Sequence, residues 1–182
     1  MFRYLTRKCA SPASPCCSPG ALQWELPDEA ATRALGRDLA PLLTPGMVVW
    51  LDGDLGAGKT TLVRAVFRAL GYDGPVKSPT YTLVEVYVVS SLYWYHFDFY
   101  RFSDPEEFLD AGLDEYFRSD AVCLVEWPGK AAGFVPSADL ALCLRFPSEA
   151  SRSGRTLDLL ACSERGRACL NILARPGFQG AA

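Results

Sequence analysis

The run Gly53-Asp-Leu-Gly-Ala-Gly-Lys-Thr60 has the residue types and spacing needed to hold phosphate, matching the pattern G-x-x-x-x-G-K-[ST]. Glycines let backbone N–H groups turn inward and approach phosphate oxygens with no Cβ in the way. A helix starting near Lys59 would aim its N-terminal amides and the positive end of its dipole at the same oxygens. Lys59 adds a full charge for the β and γ phosphates, and the Thr60 hydroxyl is placed to ligate Mg²⁺. Gly56, Ala57, Gly58, Lys59, Thr60 and Thr61 are therefore read as the nucleotide-binding residues, with a nucleoside triphosphate and Mg²⁺ as the ligands.

Such a loop needs a carboxylate for the metal and a group that positions the attacking water. Two acidic residues end apolar runs. Glu126 closes Val-Cys-Leu-Val-Glu, the form of a Walker B element, and Asp98 lies within His96-Phe-Asp-Phe-Tyr100-Arg101. Asp98 and Glu126 are the candidates for these two roles beside Lys59, the alternative for either being a solvated carboxylate at a strand end. His96 reads as a structural histidine. Arg101 is either a charge for phosphate or an ion-pair partner, and Trp127 either core packing or a stacking surface beside the site.

The elements that must position these groups follow from the surrounding pattern. Met47–Leu51 is a short apolar run between breakers, expected as a buried parallel strand. Thr60–Leu70 is expected as a helix ending at Gly71, so the loop joins a strand to a helix. Pro27–Leu43 has helical periodicity and opens with Asp28 and Glu29. Thr82–Val89 and Leu92–Phe99 read as a β-hairpin turning at Ser90 and Ser91. Pro105–Tyr116 is expected as a helix capped by Ser103 or Asp104, Val122–Val125 as a second buried strand, and Leu140–Phe146 and Thr156–Ala161 as late strands. Residues 147–154 read as a polar loop. The expected fold class is α/β, a P-loop NTPase three-layer sandwich with a mixed central sheet. The strands carrying the loop and Glu126 should be parallel and central, with the hairpin and late strands adding antiparallel pieces.

Composition bounds the rest. The 182 residues suit one domain. Residues 1–20 are expected as an N-terminal extension, 21–176 as the ATPase domain and 177–182 as a frayed tail. The extension is rich in Ser and Pro, with basic but no acidic residues. That composition is shared by transit peptides, but its prolines oppose an amphipathic helix, which favours a disordered extension or a start placed too far upstream. A net charge of −3 does not suit a protein that grips nucleic acid alone. The 7 cysteines contain no CxxC pair and His96 is the only histidine, so neither zinc nor a disulfide framework is expected. Reduced thiols point to the cytoplasm. No apolar run approaches a membrane span.

Four ordered motifs together resemble the TsaE family, also called YjeE: Gly53 to Thr61, then Val76-Lys-Ser-Pro-Thr80-Tyr-Thr-Leu-Val84-Glu85, then His96-Phe-Asp-Phe-Tyr100-Arg101, then Leu124-Val-Glu126-Trp-Pro128. The resemblance covers roughly Leu22 to Leu173. It implies Mg²⁺-dependent ATP hydrolysis in support of a TsaB–TsaD partner pair, which attaches threonylcarbamoyl to the adenosine beside the anticodon of tRNA. The tRNA would be met indirectly, through the partners. Carried over by position, the resemblance places Thr80 in a switch-like loop near the γ-phosphate, Trp127 close to the nucleotide, and Glu29 on the adenine side. Thr60 and Glu126 would hold Mg²⁺, and Lys59 and Asp98, with Glu126, would be required for hydrolysis. Pro79, Tyr81 and Tyr87 are expected either to give the Ser78–Glu85 loop a surface for the partners or, for the aromatics, merely to pack the sheet edge. The chain departs from the family pattern in its first 20 residues, in the apolar and aromatic stretch Val86–Tyr95, and around Gly154-Arg155.

Two other readings share the phosphate loop. A small-molecule kinase would need an arginine lid, for which Arg152, Arg155, Arg165 and Arg167 are candidates. A nucleotide-gated binding module would hydrolyse ATP negligibly when alone. A GTPase is disfavoured, because no Asn-Lys-x-Asp pattern is present.

Overall fold

The computed structural model describes residues 21–147 and 154–175. Seven strands form one sheet: β1 (Leu22–Leu26), β2 (Val48–Gly53), β3 (Val84–Val89), β4 (Leu92–Asp98), β5 (Ala121–Glu126), β6 (Leu140–Arg145) and β7 (Arg155–Ala161). Their spatial order is β1-β7-β6-β2-β5-β4-β3. The central four, β6, β2, β5 and β4, run parallel. β3 pairs antiparallel with β4 on one side, and β7 and β1 continue antiparallel on the other.

The sandwich and the parallel β2–β5 core agree with the expected fold. The assignment of the hairpin and late strands as antiparallel additions holds only for β3 and β7. β4 and β6 join the parallel core: β4 is reached from β3 by the two-residue turn but is joined to β5 by a long connection, and β6 is joined to β5 by another, each long enough for a crossover between parallel strands. β4 also feeds the chain through α3 (Glu107–Asp110) before β5 returns beside it.

Alternation along β2 divides the core. Val49 and Leu51 face α1 (Glu29–Leu39), α2 (Lys59–Ala69) and α4 (Glu164–Leu173), whereas Val48 and Trp50 face the opposite layer. That second layer consists of α3 and the 3₁₀ turns Leu113–Tyr116 and Pro128–Ala131, packed on Tyr95, Phe97 and Phe99. Both faces of the parallel strands are therefore covered, which is why β5 is buried along its whole length.

Several element boundaries differ from expectation for identifiable reasons. The first helix ends at Leu39 and passes into a 3₁₀ turn, Ala40–Leu42, where Pro41 cannot donate to a fourth carbonyl back. Asp28 caps its start, accepting from Ala31 N at 2.8 Å. The expected helix Pro105–Tyr116 breaks in two at Gly112, whose φ is +63°. β1 and α4 have no counterpart in the sequence reading, although Ser163 caps α4 by accepting from Gly166 N at 3.1 Å. The hairpin turns at Ser90 and Ser91, both left-handed, as a type I′ turn requires. Of the two readings of Tyr87, packing holds and partner surface does not: it is a core residue of β3 packed on Phe67 and Tyr72. The expected extension 1–20, the tail 177–182 and most of the 147–154 loop, including Arg152, lie outside the described residues.

Candidate nucleotide site

Strand direction brings the chemistry to one edge. β2, β4 and β5 end there at Gly53, Asp98 and Glu126. β3 and β7, which run the other way, reach the same edge by their first residues, Val84 in register with Phe97 and Arg155 in register with Leu26 at the carboxyl end of β1. Ligand sites of open parallel sheets lie outside these carboxyl ends.

The loop itself leaves β2 through Gly53, whose φ is +127° and where a Cβ would lie 1.9 Å from Leu144 O of β6. No other residue fits that approach. The chain then turns back through Ala57 N, which donates to Asp54 O at 3.1 Å, and enters α2 at Lys59. Lys59 is only 4% exposed. Its Nζ donates to the carbonyls of Gly53 and Asp54, each at 2.8 Å, and stands 4.0 Å above the Trp127 ring. Burial lowers the pKa of this ammonium, while Glu126, Asp52, Asp98 and Asp54 act in the opposite sense.

Glu126 and Asp98 are in register on adjacent strands. Glu126 Oε1 accepts from Thr60 Oγ1 at 2.8 Å and from His96 Nε2 at 2.9 Å. Oε2 has no protein partner among the described residues. A carboxylate on Nε2 fixes that nitrogen as the protonated one, and the buried Nδ1 has no partner. His96, read from sequence as structural, is thus a direct neighbour of the site, and the alternation His96-x-Asp98 on one face of β4 was the available signal.

Asp98 is engaged differently. Its Oδ2 accepts from Ser78 Oγ and from Thr80 Oγ1, the latter at 2.8 Å, and its Oδ1 accepts from Tyr100 N at 3.0 Å. Asp98 thereby ties the segment before β3 to the end of β4. Arg101 lies over the exposed Tyr81 ring at 4.2 Å. Trp127 packs against Tyr100 with ring centroids 5.1 Å apart, and its left-handed backbone, φ 59°, turns the chain across the end of β5.

Lys59, Thr60, Thr80, Asp98, Glu126 and Trp127 are therefore brought together around Gly56, Ala57 and Gly58. Thr61 lies next along α2, half-buried. Glu29 opens α1 and pairs with Arg33 at 3.2 Å on the exposed face, one turn before Thr32, whose Cγ2 would lie 3.9 Å from a Cβ on Gly58. Arg155, named from the sequence only as a candidate lid arginine, reaches the loop, donating to Ala57 O at 3.2 Å and Gly56 O at 3.3 Å. Arg165 is at the opposite edge, donating to Pro45 O at 3.1 Å.

Residues 26–155 match the family model described as Threonylcarbamoyl adenosine biosynthesis protein TsaE. The chain belongs to the TsaE family. A protein of Haemophilus influenzae called tRNA threonylcarbamoyladenosine biosynthesis protein TsaE is 41% identical over 147 residues, covering 78% of this chain and 90% of its own length. A Bacillus subtilis protein of the same description is 44% identical over 106 residues, covering 58% of this chain and 66% of its own. The crystal structure of Bacillus subtilis YdiB superposes with a TM-score of 0.72 at 31% identity, covering 87% of this chain and 98% of that one. The matched span 26–155 contains both carboxylates and the phosphate loop, and it closes on Arg155. Among the described residues no helix is long and apolar enough to cross a membrane.

Proposed function

We propose that this chain binds and hydrolyses ATP with Mg²⁺, and that it thereby supports a TsaB–TsaD-type complex in threonylcarbamoylation of the adenosine beside the tRNA anticodon. The supporting observation is the meeting of Thr60 Oγ1 and Glu126 Oε1 at 2.8 Å beside a phosphate loop whose lysine is buried. The relatives' printed names supply the pathway.

The donor set suits magnesium. A hydroxyl and a carboxylate are hard oxygen ligands, and Mg²⁺ takes one or two protein ligands and completes its octahedron with phosphate oxygens and water. Among the described residues no group of three or more His, Cys, Asp and Glu side chains is clustered for a metal, and a magnesium–nucleotide site does not require one. When bound, the ion would neutralise charge developing between the β and γ phosphates.

The protein's part is positioning. Gly58 N–H and the first amides of α2 point to where phosphate oxygens would lie. Lys59, already stripped of most of its water, exchanges the Gly53 and Asp54 carbonyls for phosphate. His96 holds the Glu126 carboxylate in one orientation. Asp98 holds Thr80 and Ser78, so the loop bearing them is set by a residue one strand away from the metal carboxylate. Trp127 shields Lys59 from solvent.

The test is direct. The purified chain is titrated with ATP and ADP, with and without Mg²⁺, and turnover is measured alone and with the partner pair and tRNA. Mg²⁺-dependent binding with partner-stimulated hydrolysis is the expected result. Absence of nucleotide binding would end this reading. Phosphorylation of a small acceptor would favour the kinase reading, for which Arg165 is badly placed and Arg155 is already engaged by the loop.

A further inference from the structure

Arg155 is the first residue of β7 and lies outside the phosphate-loop motif, yet its guanidinium is spent almost wholly on that loop. Nε donates to Ala57 O at 3.2 Å, Nη2 to Gly56 O at 3.3 Å, and Nη1 to its own neighbour Gly154 O at 2.6 Å. The plane lies 4.2 Å from the Phe146 ring at the end of β6. We propose that Arg155 is a positioning residue that sets the peptide planes of Gly56-Ala57-Gly58 for phosphate, so that affinity for the polyphosphate depends on a group that need not touch it. The proposal rests on the nucleotide reading above.

The geometry gives the reason. Across a trans peptide, C=O and N–H point in opposite directions. The Ala57 carbonyl turned out to Arg155 therefore turns Gly58 N–H inward, toward the start of α2. The preceding peptide is already committed, since Ala57 N donates to Asp54 O. Gly56-Ala57-Gly58 carries no polar side chain that could hold the loop, so without an outside donor the Ala57–Gly58 plane can turn about Ala57 ψ and Gly58 φ, the latter unrestrained by a Cβ.

Arg155 is itself held. Gly154 has φ +100°, and a Cβ there would lie 2.5 Å from Leu26 O and 2.8 Å from Pro27 O. Only glycine lets β7 begin this close to the β1–α1 junction. The register Leu26↔Arg155 then fixes the residue along the strand. Phe146 covers one face of the guanidinium, and the fork meets two carbonyls at once. A lysine could satisfy neither condition, being a point charge without a plane.

The test uses the full chain. Wild type, Arg155→Met, Arg155→Lys and the opposite-edge control Arg165→Met are titrated by calorimetry with ATP, ADP and inorganic triphosphate. Amide hydrogen exchange of a peptide spanning residues 53–60 is followed without nucleotide, and melting temperature monitors the fold. Two net hydrogen bonds predict that Arg155→Met weakens all three ligands by about 10-fold. Turnover at saturating ATP should change much less, and loop exchange should accelerate. Arg155→Lys should recover little, and Arg165→Met should match wild type.

Unchanged affinity or unchanged loop exchange in Arg155→Met overturns the proposal. So does weakening of ATP and ADP but not of triphosphate, which would make Arg155 a direct contact to the nucleoside. If wild type binds none of the three ligands, the nucleotide reading has failed, and the exchange comparison still decides whether Arg155 braces the loop. Should Arg155→Met not fold, Phe146→Leu removes the stacking face alone and must still accelerate exchange in the same peptide.

Discussion

Thr60 Oγ1 lies 2.8 Å from Glu126 Oε1, although 66 residues separate them in the chain. Parallel pairing of β2 and β5 produces this meeting. Leu51 is in register with Glu126, so the loop leaving β2 returns its helix over the end of β5. The same Oε1 accepts from His96 Nε2. One carboxylate thus carries an orienting bond from the sheet and a bond from the helix.

Lys59→Ala should abolish ATP turnover with the fold intact. Nζ donates only to carbonyls of the loop and faces one aromatic ring, so the sheet and helices do not depend on it. Loss of the phosphate charge should cost about 100-fold or more in kcat. Steady-state hydrolysis with circular dichroism as the folding control checks this. Wild-type turnover in a folded variant would remove Lys59 from the site.

Glu126→Ala and Asp98→Ala should fail in different ways. Without Glu126 the Mg²⁺ dependence of nucleotide binding should largely disappear, and His96 should lose its partner. Without Asp98 the nucleotide should still bind, but turnover should fall, because Ser78 and Thr80 lose the carboxylate that holds them. Titrations with and without Mg²⁺ on both variants separate the two. Indistinguishable behaviour would mean that both carboxylates serve one metal site.

His96→Phe offers a third contrast at this edge. The ring would still fill the buried space, but the bond to Glu126 would be gone. Mg²⁺-dependent affinity should fall by about 10-fold or more, the scale expected when a group orienting a metal ligand is removed, while affinity for nucleotide without Mg²⁺ should hold. Equal losses with and without the ion would show that His96 supports packing only.

The legible part of this molecule was the part with a period or a motif. Gly53 to Thr60 predicts strand, turn and helix at once, and Glu126 closes an unbroken apolar run, so both could be placed before any coordinates. What sequence hid was pairing. Leu22–Leu26 reads as an ordinary short segment until β7 supplies its partner, and the direction of β4 and β6 depends on crossovers that leave no local mark. Arg155 was obscure for the same reason: its partners are backbone carbonyls nearly 100 residues away. Tyr87 was ambiguous in another way, since a partner-facing and a core-facing position in that strand differ only by which face of β3 meets α2.

Cys123 makes the fold sensitive to alkali. Burial within β5 pushes its thiol up to about 12. A free thiol titrates at about 8.5. The folded chain therefore keeps a proton that the unfolded chain has released, and stability is full below about pH 8.5 and falls as pH rises toward 12. This site contributes at most about 1.4 kcal/mol per pH unit. Chemical denaturation from pH 8 to 11 should show the decline, and Cys123→Val should flatten it. An unchanged slope in that variant would assign the alkaline loss elsewhere.

The last prediction concerns company. Asp98 anchors Thr80 and Ser78, but the next residue, Tyr81, is 83% exposed, and its covering contact is Arg101. Leu55, in the phosphate loop itself, is 67% exposed. Large side chains left in water beside a nucleotide site are costly unless a partner covers them, and tyrosine with arginine is a common interface pair. Nucleotide binding can alter partner affinity only if it favours one arrangement of the Ser78–Glu85 loop, and Thr80 next to Tyr81 is the short path for that effect. Tyr81→Ala should therefore lower the ratio of partner-stimulated to basal ATP hydrolysis and weaken ATP-dependent association with the partner pair. Pull-down with ATP, ADP and no nucleotide, together with reconstituted tRNA modification, provides both readings. If Tyr81→Ala keeps the wild-type stimulation ratio and the same nucleotide preference in the pull-down, the partner surface lies elsewhere.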